Sequence, residues 1–312
     1  MSRIALLLKS HRPDFAYASR LIESFSRFNE ENLQLYCVVP SVDVPVFSAF
    51  SSSAVTVVSQ EDIAGGHLVK NGMHGLSAGY INQEIVKLAF WETGLADNYF
   101  CVDSDAVFIR GIHTRDFMRD DETPFSVLVQ DKELAVQPRY FAEHWRSREL
   151  SLRQIMDVIG LEDPIIRTCH GHQIFSSQVL SSLVADFFNE RGWTYADALQ
   201  VSPYEFSWYN MWLQKSEVIP IHPIEPLVKV FHNEEQHLAS LLLGETLEDF
   251  ARSYIAVVIN SNYSRAMGLV SFSDSKTASL APYLSYGELS ALLAAKARNS
   301  WDRGWSKGKS VR

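Results

Sequence analysis

Four apolar runs of strand length in the first third of the chain, with helical periodicity between them, narrow the possible folds before any single residue is weighed. They are Ile4–Leu8, "LQLYCVV" at 33–39, "AVTVV" at 54–58 and "NYFCVD" at 98–103. A strand that is apolar on both sides must be covered on both sides, which in a water-exposed protein means a parallel sheet flanked by helices. Pro13 is placed to open a helix reaching about Phe28. In "YINQEIVKLAFWETG", Ile81, Ile85, Leu88 and Ala89 form a core stripe and Gly94 ends the helix, leaving Tyr80, Gln83 and Lys87 on the other side. The expectation is an α/β fold with a mostly parallel central sheet and a mixed C-terminal part. That later part reads as strands at 125–130, 227–232 and 254–260, a helix at 151–160, and a strand at 173–177 feeding a helix to 188.

With 312 residues, 46% hydrophobic and 21% charged, the chain reads as folded throughout. A net charge of −9 argues against a general nucleic-acid surface, so a phosphorylated substrate needs local positive charge or a metal. Cys37, Cys101 and Cys169 lack metal-ligand spacing and read as small buried hydrophobes of a reducing compartment. Ile4–Leu8 is too short for a signal-peptide core, and no apolar stretch approaches the roughly 20 residues of a membrane span. A cytoplasmic protein is expected. The tail 298–312, "RNSWDRGWSKGKSVR", has five basic residues against one acidic and reads as a frayed end, with a peripheral contact at the inner face of a membrane as the alternative.

The segment "YFCVDSDAVFI" at 99–109 carries Asp103 and Asp105 around Ser104. In an extended chain residues i and i+2 face one side, so both carboxylates point together where the ligand crevice of an open sheet lies. Three readings are open: a clamp for a hard cation, an aspartyl nucleophile, or a polar strand end. The pattern D-x-D-x-V also satisfies the motif of haloacid-dehalogenase-type phosphatases, with Asp103 as nucleophile and Asp105 as general acid/base. That motif ends a first strand, however, and here it ends the fourth.

The stretch 79–112 resembles the helix, strand and D-x-D segment of GT-A glycosyltransferases, in particular glycogenin-like and lipopolysaccharide-core sugar transferases and related enzymes of bacterial polysaccharide synthesis. The first strand and helix, 4–29, are similar to theirs as well. The resemblance implies a GT-A (Rossmann-like) catalytic domain over 1–245, with a nucleotide-sugar half at 1–130 and an acceptor half at 131–245. Residues 246–312 would be an extension packed on that domain. It further implies that Lys9, Ser10, His11 and Arg12 contact the nucleotide, with Gln83, Lys87, Asp103 and Ser104 also on the donor. Asp103 and Asp105 would hold Mn²⁺ or Mg²⁺, with Asp105 the direct ligand and His232 a further one. The implied activity is hexosyltransferase-like: a nucleoside-diphosphate sugar, UDP-sugar foremost, gives its sugar to a hydroxyl of a lipopolysaccharide or capsular polysaccharide. The alternatives are the phosphatase and a catalytically silent nucleotide- or glycan-binding module.

Other residues have two readings each. Glu205 is either the N3 member of a capping box with Ser202 as N-cap and Pro203 at N1, or a catalytic base for the acceptor hydroxyl. His232, His237, His170 and His172 either finish strands or reach a metal or sugar pocket. Gln83 and Lys87 are a solvated face or a hand on the diphosphate. The Gly-rich segment 64–79, with Lys70, reads as a mobile surface loop able to close over a donor.

Overall fold

The computed structural model describes residues 2–128, 138–162, 171–232, 236–237, 240 and 243–260, with backbone alone at 2, 138–141 and 143–147. Cys169, His170 and the tail 298–312 lie outside the described residues, as does most of the expected extension 246–312.

The first apolar run is β1 (Ser2–Lys9), whose residues Ile4 to Leu8 are all at most 2% exposed. Chain contacts divide the protein into two units: residues 1–104 with 111–227, and 105–110 with 228 onward. In the first unit, a 3₁₀ turn at Arg12–Asp14, with Pro13 in it, leads into α1 (Phe15–Phe28). The helix buries the stripe Tyr17, Ala18, Leu21, Ile22 and Phe25. Then follow β2 (Gln34–Val39), α2 (Val44–Phe47), β3 (Val55–Ser59), α3 (Gln60–Ala64), α4 (Ala78–Ala89) and β4 (Ala96–Val102). Ser77 caps α4 by accepting the Tyr80 N–H at 3.2 Å. After α4 a 3₁₀ turn, Phe90–Thr93, continues the path, and Gly94, at φ 64°, supplies the left-handed residue that stops it before β4.

The second unit opens with β5 (Ala106–Phe108). Back in the first unit come α5 (Thr114–Phe117), β6 (Ser126–Val127), α6 (Pro138–Ile159), β7 (Ile174–Ser176) and α7 (Ser177–Leu183), which passes into a π turn. After these, α8 (Asn189–Arg191), α9 (Tyr195–Val201), α10 (Glu205–Ser216) and β8 (Pro223–Ile224) complete it. The expected strand at 125–130 shrinks, within the described residues, to the pair β6–β8.

The main sheet has the order β3-β2-β1-β4-β7, parallel through its first four strands, with β7 antiparallel to β4. The mostly parallel α/β architecture expected from the apolar runs is therefore present. Strands β1, β2 and β3 are added in one direction and β4 on the opposite flank of β1, so the order reverses between β1 and β4. In such sheets the ligand crevice opens at the carboxyl ends flanking that reversal.

In the second unit, β9 (Val228–Phe231) runs parallel to β10 (Ala256–Ile259), and β5 pairs antiparallel with β10. Phe231, Phe250 and Val257 form its small core, Phe250 coming from α11 (Leu247–Ala251).

Residues 64–79 differ from the expected free loop. Asn82 accepts the Val69 N–H at 2.8 Å and returns its amide to the Val69 carbonyl at 3.0 Å. His67 meets Glu92 at 3.2 Å, and the His74 Nε2 lies 3.1 Å from the Leu199 carbonyl. Leu68, Val69, Met73 and Leu76 pack against the core, so apolar contacts and side-chain bonds pin a segment whose glycines suggest freedom. Lys70 stays exposed.

Candidate functional site

The reversal point brings together residues far apart in sequence. Leu8 pairs with Val102 in register, so Lys9 and Ser10 leave β1 beside the place where Asp103 and Ser104 leave β4. The Ser104 hydroxyl donates to Ser10 Oγ at 3.0 Å, and the Ser10 N–H to the Val38 carbonyl at 2.9 Å, tying the ends of three strands. Lys9 is buried and its ammonium donates to the Ser10 carbonyl at 2.9 Å. Burial pulls its pKa down to about 8, because an ammonium away from water loses hydration that a single carbonyl does not replace. His11 and Arg12 are exposed. The His11 ring lies 3.3 Å from Asp14, and the Arg12 N–H donates to Asp43 at 2.9 Å.

Beneath Asp103 lies a buried charge cluster. Lys87, on α4, is 4% exposed, so the solvated-face reading of this residue is wrong. A helix wheel places Lys87 opposite the first core stripe but does not show that α10 covers that side too. Its ammonium is 2.8 Å from Glu205 Oε1, 3.5 Å from Asp103 Oδ1 and 3.6 Å from Glu84 Oε2. Burial alone would lower the lysine pKa; Glu205, Glu84 and Asp103 outweigh it and hold the group well above its ordinary value. Glu84 and Glu205 are fully buried and hydrogen-bonded to each other. Burial and the neighbouring Glu205 charge drive Glu84 well above the carboxylate range, while the Lys87 charge keeps Glu205 below it despite burial. The cluster thus favours the neutral form of Glu84 and the charged forms of Glu205 and Lys87, with the Asp103 carboxylate outermost.

The capping-box reading of Glu205 is also corrected. Ser202 closes α9, and Glu205 is the first residue of α10 after Tyr204. Its carboxylate turns into the cluster.

Asp103 keeps 40% of its side chain exposed, and His172 Nε2 lies 3.5 Å from its second oxygen. His172 itself is buried. The chain is not extended through the motif, because Ser104 and Asp105 form a turn, so the alternation used to aim both carboxylates one way does not hold. Asp105 is half-buried and begins the second unit. Gln83 is half-buried on α4. His232 belongs to the second unit, where its N–H donates to the Gln236 side chain at 2.8 Å. His237 packs on Phe231 with ring centroids 5.0 Å apart, and burial lowers its pKa to about 4.

Sequence reasoning missed Glu84. Its signal is that Ile85 to Phe90 are apolar apart from Lys87, so this part of α4 has no wet side and a charged pair three residues apart must be matched inside.

Among the described residues, no three His, Cys, Asp or Glu side chains gather as ligands of one metal ion, and no helix is long and apolar enough to cross a membrane. Mouse xyloside xylosyltransferase 1 is similar over 83% of this chain and 98% of that one, at 11% identity and a TM-score of 0.45. The bifunctional glycosyltransferase WbbM is similar over 83% of this chain and 46% of that one, at 12% identity and a TM-score of 0.49. No curated protein matches the sequence. A family model matches residues 4–235, and the chain accordingly belongs to DUF6492, a family of unknown function.

Proposed function

We propose that the protein is a metal-dependent glycosyltransferase of the GT-A type, moving a sugar from a nucleoside-diphosphate donor to a hydroxyl of a glycan acceptor. One observation carries the reading: the strand-order reversal collects Lys9, Ser10, Ser104 and Asp103, and the D-S-D motif begins there. Buried ammonium groups beneath a part-exposed carboxylate at that place suit a diphosphate with its counter-ion. Carboxylate oxygens suit Mg²⁺ or Mn²⁺, and such ions take one or two protein carboxylates, completing their shell with phosphates and water. Asp103 fits that demand, since its side chain is 40% exposed and its contacts with Lys87 and His172 are long, at 3.5 Å each. Asp103 and Asp105 are the proposed ligands. When bound, the ion offsets charge on the leaving diphosphate.

Within this reading, Lys9 and Ser10 face the donor phosphates and Lys87 acts through Asp103. A carboxylate held below its usual pKa by a buried lysine is a weak base, so Glu205 is assigned to positioning Lys87 rather than to taking a proton.

Incubation with Mn²⁺ and a panel of nucleotide sugars, following release of free nucleoside diphosphate, tests the proposal. Wild type should hydrolyse one donor slowly, and Asp105→Ala should abolish that release while the far-UV spectrum is kept. Normal turnover by the variant would overturn the metal clamp. Cleavage of simple phosphate monoesters through an acyl-phosphate on Asp103 would replace transfer by phosphatase chemistry.

A further inference from the structure

Arg148, on α6, lays its guanidinium against two aromatic rings. Its guanidinium carbon sits 3.7 Å from the centre of the Tyr204 ring and 5.3 Å from that of Phe206. The two rings lie 5.9 Å apart at 32°, forming a shallow aromatic step at the start of α10. Among the described residues no carboxylate pairs with this guanidinium, and its Nη1 is buried without a hydrogen-bond partner. By contrast, Arg3 meets Asp121 at 2.7 Å and Arg153 meets Glu149 at 2.8 Å.

Stacking uses the face of a guanidinium and leaves the N–H donors, which lie in its plane, for another partner. A charged donor left unbonded in a buried place is costly, so the arrangement is complete only when an acceptor arrives along the edge. The position is continuous with the proposed site. Tyr204 precedes Glu205, Phe206 lies 3.8 Å from where a side chain at Gly171 would begin, and the next residue, His172, contacts Asp103. Tyr80 feels Glu84, Glu205, Lys87 and Arg148 together, which places the guanidinium in the same electrostatic neighbourhood as the cluster.

We infer that Arg148 on its Tyr204–Phe206 step is a subsite for an anionic sugar, a carboxylate or phosphate oxygen docking on the free edge of the guanidinium. The inference rests on the sugar-transfer reading for its biological sense, and it makes the acceptor an acidic glycan. Its test needs neither donor nor metal.

Protein-observed NMR titrations with glucuronate, glucose 6-phosphate and glucose compare carboxylate, phosphate and neutral hydroxyl at one ring size. Wild type should bind at least one of the anionic sugars about tenfold or more tighter than glucose, the range of one charge-assisted hydrogen bond. The carboxylate and phosphate arms show which anion is preferred. Arg148→Gln should abolish the preference, and Arg148→Lys, which keeps charge without the planar fork, should restore only part of it. Thermal melts of both variants separate this from a packing role, since a clamp between α6 and α10 would alter the melting temperature and leave the preference intact. Equal binding of the three sugars by wild type, or an unchanged preference in a folded Arg148→Gln, overturns the subsite. Donor hydrolysis by wild type is measured separately, so loss of the subsite leaves the transferase reading standing, and loss of hydrolysis leaves the subsite standing.

Discussion

Replacing Lys87 by Met tests the buried cluster most directly. At 2.8 Å from Glu205, with an effective dielectric near 20, the attraction is about 6 kcal/mol. Desolvating both ions offsets most of that, so the net worth of the pair is smaller. The Asp103 contact adds little, because that side chain is 40% exposed and screened. Removing only the lysine leaves an anion buried without its cation, which costs about 3–5 kcal/mol. For a domain of this size that is a fall of roughly 6–20 °C in Tm. The deficit should depend on pH. In wild type Glu205 is held low, so its contribution is present above the unfolded pKa and is lost as pH falls through the folded one. Without Lys87 the carboxylate rises instead, and its contribution is lost as pH rises. The gap between wild type and variant therefore narrows on going from pH 8 to pH 5. Glu205→Gln in the Lys87→Met background should recover at least about half of the loss, since the orphaned charge is gone. Urea unfolding at the two pH values is the assay. A deficit under about 1 kcal/mol, the same deficit at both pH values, or no rescue would refute the reasoning.

Glu84→Gln keeps a donor for Glu205 without an ionisable group. Glu84 is raised in the fold, so wild type loses stability as pH climbs above the unfolded pKa, and the amide should be the more stable protein at pH 8 with the advantage gone near pH 4. Tyr195→Phe removes a hydroxyl that donates to Glu92 at 2.6 Å and accepts from Trp91 at 3.0 Å; urea titration should show a loss of about 1–3 kcal/mol. Gly94→Ala forces a side chain into the left-handed region and should cost about 1 kcal/mol by the same measurement. Asn82→Ala should raise amide exchange at Val69 while core strands stay protected, because both bonds to that backbone are lost.

The sheet was legible because continuous apolar runs leave few alternatives: each of the first four became a parallel strand within one or two residues. The stop after α4 was also readable, from Gly94, whereas its Ser77 cap was not read. What could not be read was which polar residues end up inside. Lys87 looks solvated on a single helix, and only the packing of α10, whose sequence lies more than a hundred positions later, encloses it. Ser202 fits a capping box as text, yet belongs to the end of the preceding helix, and this frees Glu205 to face inward. Alternation at Asp103 and Asp105 assumed an extended chain where a turn occurs. Arg148 gave no signal, because an arginine on a polar helix is ordinary until its aromatic neighbours are known.

The pairing of β5 has a consequence for synthesis. Ala106 and Phe108 are buried against a strand, β10, that leaves the ribosome long after them. The main sheet can zip from β1 through β4 as the chain emerges, whereas β5 must wait with its edge unpaired and its phenylalanine wet. A nascent chain stalled before residue 256 would therefore display an adhesive edge directly after the D-S-D motif.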